Sequence, residues 1–328
     1  MELLGLGAPT IVLFVGFGAL IGVLFGFFGM GGSFLVTPAL LVWGYPAHAA
    51  VGSGLAFVFG TSVIGALRHR TYGQIDYRLA ALMLLGMTVG VEIGTRIVFR
   101  LAERGSAETV IGVAYIGLLA VAGVVTLRDA RLGGGRFDQW YLASTVEAIR
   151  PPPTVQFSGG HRLSVWIILC IGVGIGVLSG VLGVGGGFLL IPAMMYGLGI
   201  PMTVAVGTDV LQIMVSSGYG AFVYAEEGAV VLPVVGTLLA GSAFGARLGA
   251  DASAFVDEDD VKGPFAILLL VGSLSVAAKE LGGLLGLDSF HIISIALVFG
   301  TPVFVCIVIV RAAIRSVNRG SKSNQPMR

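Results

Sequence analysis

A chain of 328 residues that is 56% hydrophobic, only 11% charged and has a mean hydropathy of +0.96 lies far outside the soluble range of about 25% charged residues. The net charge of +1, with no basic stripe interleaved with aromatics, excludes nucleic acid as a partner. Cys170 and Cys306 stand alone in apolar runs without a C-x-x-C or a ligand cluster, so no disulfide framework, metal site or cofactor is expected. What remains is an integral membrane protein with the lipid bilayer as its surroundings.

A hydrocarbon core of about 30 Å takes about 20 apolar residues per upright helix. The first such run is Thr10 to Met30. The first Lys or Arg is Arg68, so this run lacks the basic start of a cleavable signal and is expected to be retained. It ends in Gly29-Met30-Gly31-Gly32-Ser33, with Pro38 close behind. Glycine inside a helix costs about 1 kcal/mol relative to alanine, so the cluster is expected to break the helix and leave Ser33 to Tyr45 as a half-length piece. Full spans follow at Ala47 to Leu67, Leu79 to Phe99 and Thr109 to Leu127. From Arg128 to Arg162 the apolar character stops, and Pro151-Pro152-Pro153 stiffens what reads as an aqueous connector.

The second half repeats the plan. Leu163 to Leu182 spans, Gly183-Val184-Gly185-Gly186-Gly187 breaks, and Phe188 to Gly199 is short; spans follow at Met202 to Tyr224, Ala229 to Gly249 and from Pro264 to Ala278. A further apolar run, Phe290 to Val310, precedes a basic tail. Sliding the chain on itself pairs Gly29, Gly31, Gly32, Phe34 and Pro38 with Gly183, Gly185, Gly186, Phe188 and Pro192 at a shift of 154. At a shift of 155, Ala50-Val51-Gly52 pairs with Ala205-Val206-Gly207, and Gly65, Gly73, Gly86 and Gly90 pair with Gly220, Gly228, Gly241 and Gly245. The expected fold is all-α and polytopic. Residues 1–127 and 163–281 form two repeats of about four transmembrane helices, each with a broken helix; 128–162 is the connector, 282–310 an added helix and 311–328 a basic tail. Corresponding interrupted segments in paired units mark the binding region of secondary transporters, which favours transport over a receptor or an enzyme.

On the repeated Gly-x-Gly-Gly-(Ser/Gly)-Phe-Leu-x-x-Pro-Ala and the paired Ala-Val-Gly-Ser and Ala-Val-Gly-Thr stretches, the chain resembles the sulfite exporter TauE/SafE family of permeases. The resemblance covers about Gly16 to Leu127 and Val165 to Leu281. It implies a carrier of sulfite, sulfonates or other small sulfur-containing anions in a bacterial or archaeal plasma membrane. The 128–162 connector is longer than the family pattern, and the run at 290–310 lies beyond it.

A helix broken inside the membrane offers free N–H groups and a positive dipole end to an anion, whereas glycines that only allow close packing would look similar alone. On the first reading Gly29, Gly31, Gly32, Ser33 and Thr37, with Gly183, Gly185, Gly186 and Gly187, surround the substrate. Ser53, Thr61 and Ser62 correspond to Thr208, Ser216 and Ser217, and Thr208, Gln212 and Ser216 share one helix face. These groups either bond sulfonyl oxygens or satisfy their own backbone, with Ser53 and Thr208 the first candidates to reach substrate. Asp209, whose repeat partner is Gly54, is either a site coupling transport to a proton or cation, or an interfacial carboxylate near the helix mouth. Glu92 reads as an i, i+4 partner of Arg96. A channel, or a membrane assembly or sensor protein that transports nothing, stands as the rival class.

Orientation is in conflict. If each half-piece completes one crossing, each half has four crossings, the repeats run parallel, and the basic tail lies on the side opposite the basic segments 68–78 and 128–162. If each half-piece returns, the repeats are inverted and the basic segments share one side. The resemblance to a duplicated four-helix unit, with half-pieces too short for upright spans, sets the expectation on the parallel plan.

Overall fold

The computed structural model describes residues 2–3, 6–28, 32–71, 75–132, 151–156, 162–200, 202–253 and 258–323. Helix α1, Ala8–Phe28, follows a two-residue antiparallel strand pair, Glu2–Leu3 with Leu6–Gly7. Gly29 and Gly31 lie outside the described residues. The chain resumes as a 3₁₀ turn at Gly32–Leu35 that runs into α2, Val36–Trp43, so the expected half-piece is present and short. Gly44, at φ 97°, closes it: its N–H bonds Leu41 O at 3.1 Å and the Tyr45 N–H bonds Leu40 O at 3.0 Å.

Helices α3 (Ala47–Thr71), α4 (Tyr77–Glu103) and α5 (Ala107–Leu132) complete the first half. A strand pair, Thr154–Gln156 with Arg162–Ser164, leads into α6, Val165–Leu182. The second break spans Gly183 to Gly186, with φ of 74°, 68° and 93° at Gly183, Gly185 and Gly186, values that L side chains rarely adopt. It is followed by α7, Gly187–Pro192, whose last turn widens into a π segment at Ala193–Gly197. Then come α8 (Met202–Glu226), α9 (Leu232–Ser253), α10 (Glu258–Leu285) and α11 (Asp288–Ser323). The tail expected from residue 311 therefore continues α11 as far as Ser323.

Among the described residues seven helices are long and apolar enough to cross a membrane: α1, α4, α5, α6, α9, α10 and α11. Helix α8 has the length but not the hydropathy, because Asp209, Gln212, Ser216 and Ser217 all sit on it. Large apolar side chains such as Leu284, Phe244 and Leu248 are exposed on the outer faces, where a bilayer would cover them.

Two glycine seams hold the bundle. Gly86, Gly90 and Gly94 on α4 meet Gly172, Gly176 and Gly180 on α6; a Cβ at Gly172 would lie 2.7 Å from Met83 O, and one at Gly180 2.6 Å from Val91 O. Gly18, Gly22 and Gly26 on α1 face Leu238, Ser242 and Ala246 of α9, while Gly241, Gly245 and Gly249 of α9 face Val15, Ala19 and Val23 of α1. The i, i+4, i+8 spacing keeps each set on one helix face, and removal of every Cβ lets backbones touch. Under the sequence correspondence α1 matches α6 and α4 matches α9, so the two seams join corresponding partners across the halves.

These contacts also fix direction. Residue numbers rise together along both seams, so α1 runs parallel to α9 and α4 parallel to α6. Along α3 and α8 they run oppositely, with Gly52 at Tyr224, Leu55 at Gly220 and Phe59 at Gly218. Phe14 in α1 packs on Trp43 and Tyr45, at ring distances of 5.8 and 6.4 Å, so α2 has come back toward the start of α1. Helix α3 then leaves again in the direction of α1, with Thr37 beside Ala50 and Gly54. The parallel expectation is thereby corrected: the half-piece crosses part of the bundle and returns, because 8 helical residues cover only about 12 Å. The same ladder of directions brings the ends of α3, α5 and α11 and the start of α6 to one end of the bundle. The basic segments flank those ends, so the conflict over orientation disappears.

Candidate functional site

The second break lies against α8 and α3. The helical ladder of α6 stops at the Gly183 N–H, bonded to Ser179 O at 2.8 Å, and restarts where the Leu189 and Leu190 N–H groups both reach Gly186 O at 2.9 Å. Between those points the backbone runs along α8. A Cβ at Gly185 would lie 2.7 Å from Ser217 Oγ, and one at Gly187 3.2 Å from Asp209 Oδ2. Glycine is required at Gly185 on two counts, the close approach and the positive φ. Behind the break, Met87, Ile175 and Leu190 crowd Gly186, and Ile213 closes on Gly187.

Asp209 and Ser217 thus face the break along about 12 Å of α8, while Gln212 lies on the adjoining face of that helix with Thr208 and Ser216. Asp209, Gln212 and Ser217 are all completely buried. Both carboxylate oxygens of Asp209, both amide atoms of Gln212 and the Ser217 hydroxyl lack any hydrogen-bond partner. Asp209 is therefore enclosed by protein rather than exposed to solvent. Ser216, also fully buried, donates only a long bond, 3.4 Å, to Ile213 O in its own helix. Ser179, in the turn of α6 before the break, is a further buried hydroxyl without a partner.

The first half brings fewer groups to the break. Thr37 is buried where α2, α3 and the second break meet: its hydroxyl donates to Ala50 O at 3.5 Å, and a Cβ at Gly183 would stand 2.7 Å from its Oγ1. Gly32 and Ser33 lie in the 3₁₀ turn just before it. Thr61 donates back to Phe57 O and Val58 O, and Ser62 to Phe59 O, so these two hydroxyls serve their own helix.

Ser53 and Thr208, the first candidates to reach substrate, each take part in a hydrogen bond to the other half. Ser53 Oγ accepts from the Val231 N–H at 2.9 Å, and Thr208 Oγ1 accepts from the Asp76 N–H at 3.0 Å. Residues 76 and 231 correspond at a shift of 155, as do 53 and 208. Each hydroxyl therefore pins the start of the other half's following helix, where Asp76 in turn caps α4 through the Arg78 and Leu79 N–H groups at 3.1 Å.

Two tyrosines were not singled out from sequence. Tyr224 donates to Gly180 O at 2.7 Å, and Tyr115 donates to Leu182 O, so their hydroxyls close carbonyls that the end of α6 leaves open. Their signal was a phenol inside an apolar run, whose O–H must find a partner when buried. Glu92 behaves as its spacing indicates, bonded to Arg96 at 2.8 Å, and it also accepts from Tyr219 at 2.8 Å. Among the described residues no group of three or more His, Cys, Asp or Glu side chains could hold a metal ion.

The seven long apolar helices define the class of the fold, a polytopic helical membrane protein. The family model described as "Sulfite exporter TauE/SafE" matches residues 14–276, and the chain belongs to that family. It is 26% identical over 253 residues to the "Probable membrane transporter protein YunE" of Bacillus subtilis, covering 74% of this chain and 88% of the relative. It is 26% identical over 264 residues to YjnA of the same organism, covering 79% and 96%, and 27% identical over 223 residues to MJ0441 of Methanocaldococcus jannaschii, covering 66% and 73%. Each of these two is likewise named a probable membrane transporter protein. No solved structure gives a significant match.

Proposed function

We propose that the protein is a secondary carrier of small anions, of the sulfite, sulfonate or related organosulfur class, working by alternating access around its two broken helices. The carrying observation is the strip on α8: the Asp209 carboxylate and the Ser217 hydroxyl stand buried and without partners against one glycine break, and the buried Gln212 amide, also without a partner, lies between them in sequence on the same helix. A buried polar group left unpaired costs about 1–3 kcal/mol, so such a strip is expected to be filled by a polar ligand in the working protein. The Gln212 amide and Ser217 hydroxyl donate in the way sulfonyl oxygens require. The family description supplies the sulfur-containing class, while the names of the relatives stop at membrane transport. Seams and hydroxyl pins that exchange partners between corresponding helices support two inverted units able to rock against each other. No covalent step is assigned to the protein.

Purified protein in liposomes loaded with sulfite, sulfoacetate, thiosulfate or sulfate tests the proposal. Saturable exchange of at least one of these anions is expected. Flux that rises without saturation would mean a channel, and no flux for any of them would overturn the carrier reading.

A further inference from the structure

An anion site that contains a carboxylate faces a contradiction, and resolving it goes one step beyond the carrier reading, on which this inference rests. Asp209 carries the formal charge of the strip, its two oxygens are buried without a partner, and Oδ2 lies against the backbone at Gly187. Gln212 follows three residues later on the adjoining face, and Ile213, one turn on from Asp209, closes against Gly187. Neither neighbouring side chain brings a positive charge. An ionised carboxylate enclosed in this way loses its hydration without compensation, and a bound anion would add direct repulsion. With a proton on it, the same group is neutral, and its O–H becomes a donor to an anion oxygen.

The charged groups on the elements packed around α8 leave that resolution in place. On the α3–α4 side Asp76 is committed to capping α4, with its N–H held by Thr208. On α4, Glu92 is paired with Arg96 and meets Tyr219, about 15 Å further along α8. Helix α7 carries no charged residue, and it approaches Asp209 at Gly187. The antiparallel register of α3 and α8 sets the last turn of α3, which carries Arg68, His69 and Arg70, at the level of the first turns of α8. Among the residues whose side chains are described, the ion pairs join Arg96 to Glu92, Lys262 to Asp129, and Lys279 to Glu108 and Glu280, and none involves Asp209.

We infer that Asp209 is the proton carrier of the transport cycle: the carboxyl takes one proton from the aqueous side on which the site is open, holds it beside the bound anion, and returns it to water with the anion on the other side. The proton is bound and released as such, so no bond in the anion is made or broken. A monoanion thus moves as an electroneutral pair with a proton.

The test uses the full chain in liposomes containing a trapped pH-sensitive dye, with the anion identified by exchange. In the wild type, a one-to-one pairing accumulates a monoanion about tenfold per unit of pH gradient, with matching proton entry. Asp209→Asn is expected to bring accumulation to about one, with slower exchange that no longer depends on pH, and Asp209→Glu to restore part of the accumulation. Infrared difference spectra of the protein in lipid supply a readout independent of flux: a protonated carboxylic acid band at neutral pH, absent from D209N. Loss of exchange for every anion in the wild type would overturn the carrier reading. Intact exchange without accumulation under a pH gradient, accumulation driven by a sodium gradient instead, undiminished accumulation in D209N, or no infrared band in the wild type would each overturn the proton assignment.

Discussion

The two halves share one backbone plan but distribute polar chemistry unequally. At the position of Asp209 the first half has Gly54, where a Cβ would run into Thr37 Oγ1 and stand 3.1 Å from Gly183 O. At the positions of Ser216 and Ser217 it has Thr61 and Ser62, which bond their own turns, while Ser217 is left open at the break. Gln212 corresponds to Phe57, a buried core side chain. The shared part, glycine seams and hydroxyl pins, is scaffold; the unshared part carries the buried polar groups without partners on which the proposed site rests. Among the described residues, the buried, unpartnered Asp209, Gln212 and Ser217 have no polar, unpartnered counterparts at positions 54, 57 and 62.

The largest expected effect comes from breaking the frame. Gly245→Leu drives a side chain into the Ala19 carbonyl of α1, where backbone cannot yield, and should cost about 3 kcal/mol or more. Loss of folded protein in thermal melts is the expected result; a normal melt would remove the seam from the description. Next, Gly185→Ala combines a φ of 68°, worth about 1–2 kcal/mol, with a Cβ close to Ser217 Oγ. Transport should fall further than the yield of folded protein, and equal losses would make this break a packing feature only.

The comparison sharpens with milder changes. Gln212→Leu and Ser217→Ala remove unpaired buried atoms and are expected to raise stability by up to about 1 kcal/mol while weakening half-saturation for the anion. Their counterpart Ser62→Ala, already bonded within its helix, should leave half-saturation unchanged. Ser53→Ala and Thr208→Val should each cost about 1 kcal/mol of stability, again with half-saturation unchanged, because each hydroxyl holds a backbone N–H in the other half. The smallest effect is expected for Glu92→Gln, about 0.3–0.5 kcal/mol for a surface i, i+4 pair.

Much of this was legible in the sequence. The glycine cluster at 183–187, the span lengths and the polarity of α8 follow from propensity, hydropathy and periodicity, which are local properties. The return of the half-pieces was not legible: a 12-residue apolar stretch fits a return or a tilted partial crossing equally, and Phe14 meeting Trp43 is a contact between elements. The roles of Ser53 and Thr208 were hidden for the same reason, since a hydroxyl is equally suited to a sulfonyl oxygen and to a distant N–H. What separates Ser217 from Ser62 is whether a partner stands nearby, and only the fold supplies that.

The most direct measurement is a density map of the protein purified with a transported anion such as thiosulfate. Density is expected between the backbone of Gly185 to Gly187 and the side chains of Gln212 and Ser217, and it should vanish in a Gln212→Leu, Ser217→Ala double variant. An anion bound instead beside Ser53 and Thr208, or density at the second break that survives the double variant, would contradict a site built on α8.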